Sequence, residues 1–168
     1  IYRFNERVKL LGHEVDDQSL VDAFVCVDQA RRECGLSLSF FEATTLAAFV
    51  IFKQQQCDVW VLEVGLGGRL DVVNVIDPDI AVITNIGLDH VDWLGDTIEK
   101  IAFEKAGIIR PDIPVVFAGQ QQLPQAIQDK VAETNASLYA FNRDYFYQLN
   151  DDGQSWSFAS SGTTLKLP

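Results

Sequence analysis

Apolar positions recur every three or four residues early in the chain and bunch into short runs afterwards. Leu20, Ala23, Phe24, Val27 and Ala30 carry the helical period as far as Arg31-Arg32. Asp16, Asp17 and Ser19 are start residues and Gly35 is the stop. A second helix is predicted from about Glu42 through Leu46, Phe49, Val50 and Phe52 to the glutamines at 54–56. Ahead of both, residues 1–11 alternate loosely and end at Gly12, which predicts a strand or extended entry and a turn.

The texture then changes. Val59-Trp60-Val61-Leu62-Glu63-Val64 and Ile80-Ala81-Val82-Ile83-Thr84 are nearly continuous apolar runs, the pattern of strands covered on both faces. The first breaks into Gly65-Leu66-Gly67-Gly68-Arg69-Leu70-Asp71, the second into Asn85-Ile86-Gly87-Leu88-Asp89-His90. Thr97 is the predicted cap of a helix over 98–105 that Gly107 closes. A strand at 113–118, a helix at 124–133 and a strand at 137–141 follow. Strands alternating with helices predict an α/β fold with a mostly parallel open sheet flanked by helices. Residues 145–149, 155–160 and 163–167, punctuated by Asp151-Asp152-Gly153 and Gly162, predict a small antiparallel β meander near the C-terminus.

Composition narrows the function. A chain of 168 residues with 48% apolar and 22% charged residues suits one globular domain. A formal charge of −11, from 24 acidic against 13 basic residues, argues against nucleic acid as a partner. ATP stays admissible, because a local cation reverses the field where phosphates dock. Cys26, Cys34 and Cys57 are odd in number and form no C-x-x-C, so they are read as reduced, buried thiols of a cytoplasmic protein. The longest apolar stretch, 46–52, is far too short for a membrane span, and no secretory signal is visible. The chain opens at Ile1 and contains no methionine, which reads as an internal piece of a longer protein.

Few residues are placed to do chemistry. Glu63 sits inside an apolar run beside the glycine loop: either its carboxylate binds loop amides, or it is a metal ligand at the carboxyl edge of the sheet. His90 follows the next apolar run in the same kind of loop, and parallel strands would bring both groups to one edge. One carboxylate and one imidazole leave a divalent cation with open positions, which suits Mg²⁺ with its waters and phosphate oxygens. The competing reading pairs His90 with Asp89 or Asp92. Lys105, judged on position alone, is a solvated charge at a helix end. The glycine loop lacks the dinucleotide fingerprint: Leu70 stands where a glycine is needed, and β-branched residues follow instead of a helix. A nicotinamide oxidoreductase is therefore disfavoured, and the glycines suit close backbone approach to a substrate or phosphate. Arg69 and Asp71 flank that surface and either touch a ligand or pair with each other. No G-x-x-x-x-G-K-S/T loop and no G-x-S-x-G occurs, and His13 and His90 are the only histidines.

Val61-Leu62-Glu63-Val64-Gly65-Leu66-Gly67-Gly68-Arg69-Leu70-Asp71, Leu88-Asp89-His90 and Glu104-Lys105-Ala106-Gly107-Ile108 together resemble the folylpolyglutamate/dihydrofolate synthases of the Mur ligase superfamily. Asn5-Glu6-Arg7-Val8 and the stretch from Phe41-Glu42-Ala43-Thr44-Thr45 to Phe49 agree with it. The resemblance runs from about Phe4 to Ile109. It implies an ATP-dependent ligase: ATP phosphorylates a carboxylate, and the amine of L-glutamate attacks the acyl phosphate. It further implies Mg²⁺ held by Glu63 and His90, a carbamylated Lys105, and a substrate surface for dihydropteroate or folate at Phe40, Phe41, Glu42, Arg69 and Asp71. On the residues alone, Phe40 and Phe41 are equally suited to core packing. Val73 departs from the family's D-x-T-N stretch, where threonine is common.

By this resemblance, residues 1–168 are one partial central domain, with the ATP loop preceding it and a C-terminal domain following. The intact protein would be a cytoplasmic monomer. Rival readings are another Mur-type ligase making a peptidoglycan precursor, and a non-catalytic α/β binding module. The isolated 168 residues are expected to form no product from ATP, glutamate and dihydropteroate; measurable turnover would contradict the partial-domain reading.

Overall fold

The computed structural model describes residues 2–150, 154–160 and 163–167, which gather into two compact units, Ile1–Glu63 and Val64–Pro168. The first unit opens with a 3₁₀ turn at Phe4–Arg7 and a short antiparallel hairpin, β1 (Lys9–Leu10) with β2 (His13–Glu14). Leu11 and Gly12, both at positive φ, make the turn. Of the strand or extended entry predicted ahead of Gly12, Lys9–Leu10 is strand and Phe4–Arg7 is a 3₁₀ turn. The buried Asn5 amide is what folds it, donating to the Val15 carbonyl at 2.7 Å and to Asp17 at 2.9 Å.

Helix α1 (Asp17–Glu33) starts where Asp16 accepts the Ser19 N–H, as its sequence predicts. Helix α2 (Phe40–Gln54) starts two positions before Glu42, because Ser39 caps it and Glu42 is the partner in a capping box. The helices close on Leu20, Ala23, Val27, Ala47 and Ile51, joined by Val8 and Val15. The cysteines are not buried as expected. Cys26 lies off the Leu20-Ala23-Val27 stripe and Cys34 just past the last turn of α1; both are exposed, and Cys57 is half-buried.

Residues 59–64 correct another expectation. Trp60 packs on Phe49 and Phe52, with ring centroids at 5.9 and 5.6 Å. No described strand pairs with the segment, so it forms none, and Val59, Val61 and Glu63 are exposed.

The second unit is the α/β part. Strands β3 (Ala81–Ile83), β4 (Pro114–Phe117) and β5 (Ser137–Ala140) form a parallel sheet in chain order. Helix α4 (Ile98–Ala106) crosses between the first two and α5 (Gln125–Thr134) between the last two; a short helix, α3 (Val91–Leu94), precedes α4. Thr97 and Gly107 bound α4 as predicted, and α3 was not foreseen. Ala81 and Ile83 join Val115, Phe117 and Ala140 in a core with Ile101, Ala102, Ala106 and Ile127. Val82 and Tyr139, on the alternate face, remain exposed, so β3 is covered on one face only, not both.

Strands β6 (Tyr145–Leu149), β7 (Trp156–Ser160) and β8 (Thr163–Leu167) build the antiparallel meander that was expected. Its predicted turn residues Asp151, Asp152, Gly153 and Gly162 lie outside the described residues, as does Ile1. The Tyr145 hydroxyl donates to the Phe117 carbonyl at 3.2 Å, and burial pushes that phenol above its ordinary value.

One carboxylate locks the two crossover helices. The Pro124 ring has no acceptor to cap α5, and Glu99 on α4 accepts the Gln125 and Ala126 N–H groups at 3.0 and 2.9 Å. Glu99→Ala is expected to destabilise the second unit by about 1 kcal/mol, the ordinary value of a lost cap, measured by urea unfolding.

Candidate active site

Parallel α/β sheets present their ligand loops at the carboxyl ends of the strands. The loop after β3 runs through Ile86 to His90, and the loop after β4 is tied to it by Gln121, whose Nε2 donates to the Ile86 carbonyl at 2.9 Å. His90 is exposed, takes the left-handed conformation at φ 51°, and its carbonyl starts α3 by accepting the Trp93 and Leu94 N–H groups. Its Nε2 lies 3.8 Å from Asp89, and its main-chain N–H donates to the same carboxylate. The imidazole therefore has a weak acidic neighbour and stays open to solvent.

The glycine loop, residues 65–71, backs onto the helices that follow His90. A Cβ on Gly67 would come within 2.9 Å of Leu94 of α3. On Gly68, at φ +155°, it would meet the Glu104 and Lys105 carbonyls at 2.9 and 3.2 Å. A Cβ on Gly107 would run into the Cα and Cβ of Arg69. Glycine at 68 and 107 lets the loop and the C-terminal turn of α4 approach closely, and Gly67 packs on Leu94 of α3, where the sequence suggested a substrate or phosphate. Lys105 is half-buried on the turn against which the loop rests.

Arg69 and Asp71 do not pair with each other. Arg69 Nη2 binds Glu104 at 2.9 Å, its guanidinium stands 5.5 Å from the Phe103 ring, and its N–H donates to the Glu104 carbonyl at 2.8 Å. Asp71 closes its own loop: one oxygen accepts the Gly65 and Leu66 N–H groups at 3.0 and 3.1 Å, the other the Val73 N–H at 3.0 Å. Both side chains thus shape the loop, while Leu66 and Leu70 project into solvent.

Sequence reasoning passed over a neighbouring feature. Trp93, Leu94, Gly95, Glu99, Lys100, Phe103 and Glu104 line a shallow cavity of about 470 Å³. Its signal in the sequence was weak, because Phe103 reads as an ordinary helix residue and Trp93 falls in no predicted element.

The first unit carries the other candidates. Phe40 is 64% exposed and Phe41 38%, so neither is a core residue. Phe40 meets Phe4 edge-on at 5.9 Å, and the Arg7 guanidinium sits 5.6 Å from one ring and 5.7 Å from the other. The Glu42 carboxylate is committed to the cap, accepting the Ser39 N–H at 2.6 Å. Glu63 is exposed, and no hydrogen bond of its side chain occurs among the described residues. No three His, Cys, Asp or Glu side chains cluster among the described residues as a ready-made cation cage. A cation here would draw remaining ligands from water or a bound phosphate.

The parallel sheet, its edge loops and a glycine loop seated on the lysine-bearing turn define the class, an α/β domain. The chain belongs to the Mur ligase middle domain family, whose model matches residues 21–167. It is 41% identical over 169 residues to the dihydrofolate synthase/folylpolyglutamate synthase of Escherichia coli (strain K12), covering 100% of this chain and 39% of that protein. Similar solved structures include the following two. One is E. coli FolC in complex with DHPP and ADP, with a TM-score of 0.90, 41% identity, and coverage of 98% of this chain and 38% of that one. The other is the bifunctional folylpolyglutamate synthase/dihydrofolate synthase complexed with AMPPNP and Mn ion from Yersinia pestis c092, with a TM-score of 0.88, 40% identity, and coverage of 97% and 38%. The chain therefore spans under two fifths of the length of the curated relative, 39%. Among the described residues, no helix is long and apolar enough to cross a membrane.

The cap assigned to Glu42 has a pH signature. The Ser39 N–H, and then its hydroxyl, hold the Glu42 carboxyl below its usual 4.5. A depressed carboxylate contributes stability above its unfolded value and loses it as pH falls through the folded one. The Ser39 amide proton shift is expected to titrate with a midpoint below 4.5, and Glu42→Gln to abolish the titration; a midpoint at or above that value contradicts the cap.

Proposed function

We propose that this chain is the central part of an ATP-dependent ligase that joins L-glutamate to dihydropteroate or a folate through an acyl phosphate. The observation that carries the reading is the seating of the glycine loop on the Lys105 turn, which gives two separated motifs one surface. It is supported by the match of the whole chain to 39% of the E. coli enzyme and by relatives whose complexes hold ADP with DHPP, or AMPPNP with Mn. ATP and a divalent cation, Mg²⁺ in the cell, are then its cofactors. The protein would act as a monomer in the cytoplasm, a reducing compartment that suits the free cysteines.

Glu63 and His90 would hold the cation. The donor set fits: one carboxylate oxygen and one imidazole nitrogen, both on exposed residues. Such a set leaves room for water and phosphate oxygens. A bound divalent cation spreads the negative charge of a transferring phosphoryl group. Lys105 would serve as a carbamate. Its neutral Nζ forms an N–C bond to CO2 and releases a proton to water, turning a cation that repels metal into an anion that attracts it. Arg69 and Asp71 hold the shape of the loop and would present its backbone and Leu70 to the pterin-bearing substrate, for which Phe40 and Phe41 would supply aromatic contacts. Residues 1–168 would be one partial domain of that enzyme, and the chain itself contains no G-x-x-x-x-G-K-S/T phosphate loop.

The test uses the intact enzyme with ATP, Mg²⁺, glutamate and dihydropteroate. Glu63→Gln, His90→Ala and Lys105→Ala are each expected to lower kcat by about 10²-fold or more, the scale seen when a group stabilising transition-state charge is removed. Chelation should abolish turnover. Activity only on peptidoglycan precursors would point to another Mur-type ligase, and no metal-dependent turnover at all to a binding module.

A further inference from the structure

Asn74 lies in the 3₁₀ turn Val72–Val75 directly after the glycine loop and is half-buried. Its Nδ2 donates to the Arg69 carbonyl and to the Gly107 carbonyl, both at 3.1 Å. Its Oδ1 accepts from Arg110 Nη2 at 3.0 Å, and its main-chain carbonyl accepts from the same nitrogen at 2.8 Å. Arg110 Nη1 also donates to the Gly107 carbonyl at 3.1 Å, and its Nε pairs with Asp77. Both amide protons and the amide oxygen are therefore used. A flipped amide would point its oxygen at two carbonyls, so Arg110 fixes the orientation.

We propose that Asn74, oriented by Arg110, is a positioning residue that fixes the Lys105-bearing turn against the glycine loop. The inference rests on the reading of Lys105 as a carbamate. Asn74 grips backbone on both sides: the Arg69 carbonyl belongs to the loop, and the Gly107 carbonyl lies two residues beyond Lys105. The Arg69–Glu104 pair joins the same segments through a partly exposed ion pair, with side chains 43% and 19% exposed, and solvent weakens its hold. With glycine at 68 and 107 the loop and turn are in backbone contact, and Asn74 sets their register. That register decides where the Lys105 side chain stands relative to the loop. A carbamate forms reversibly, so a displaced Lys105 holds it less well, and more dissolved CO2 restores it by mass action.

The experiment uses the intact enzyme equilibrated with ¹³C-bicarbonate, with NMR of the carbamate carbon, steady-state turnover and thermal unfolding as readouts. Unmodified enzyme is expected to show a carbamate resonance that Lys105→Ala abolishes. Asn74→Ala should remain folded yet lose carbamate occupancy and kcat by about 10-fold at ambient bicarbonate, as for residues that support a metal site from behind. Both should recover together when bicarbonate is raised, which a general loss of folding would not produce. Full occupancy and kcat in Asn74→Ala, or losses that bicarbonate does not restore, overturn the inference. Absence of a Lys105-dependent resonance in the unmodified enzyme is a different result: it removes the carbamate reading and this inference with it. Should Asn74→Ala fail to fold, Asn74→Asp keeps an acceptor for Arg110, loses both donors, and is read in the same way.

Discussion

The glycine loop and the C-terminal turn of α4 touch backbone to backbone, and the arrangement of the candidate site in the second unit depends on that contact. Hydrogen bonds around it, from Asn74, Arg110 and the Arg69 N–H, contribute about 1 kcal/mol each in net terms. Sterics set the harder limit. A single Cβ at Gly107 would occupy the space of the Arg69 backbone. No rotamer change relieves such an overlap, because the Cα and Cβ of Arg69 are fixed by its main chain. The loop therefore has one seat, and polar groups refine its register within that seat.

This seating has an electrostatic consequence. Arg69 and Arg110, the two guanidiniums nearest the loop, are engaged by Glu104 and Asp77. Neither is a free counter-charge for a phosphate, and the chain as a whole carries −11. Anion binding in such a field calls for an added cation, consistent with a reading in which Glu63 and His90 serve a metal. Lys105 has no ion-pair partner among the described residues. A lysine left without one on the turn that supports the loop is available for modification in a way that a paired lysine is not.

Local chemistry was legible wherever it acts over a few residues. Asp16 and Thr97 mark helix starts, and Gly107 a helix end, because cap and orphan backbone group are neighbours in sequence. The βαβαβ order and the meander followed from runs and breaks for the same reason. The site motifs were legible as motifs. Their partners were not: Arg69 pairs with Glu104 rather than Asp71, Asp71 holds its own loop amides, and Glu42 caps a helix. Each of these choices depends on which atoms the fold brings near, and sequence spacing sets only which are possible.

By itself, then, the sequence determined the α/β class, the alternation of strands β3 to β5 with their crossover helices, the meander and the family, since period, caps and motif spacing are properties of neighbouring residues. Tertiary structure alone decided that Phe40 is exposed, that 59–64 forms no strand, that Cys26 and Cys34 face solvent, and that Asn74 bridges the loop to the Lys105 turn. The physical reason is one of range. Burial and ladder pairing need surfaces from distant segments, and an amide as short as that of Asn74 finds two carbonyls from separate segments only after those segments have packed.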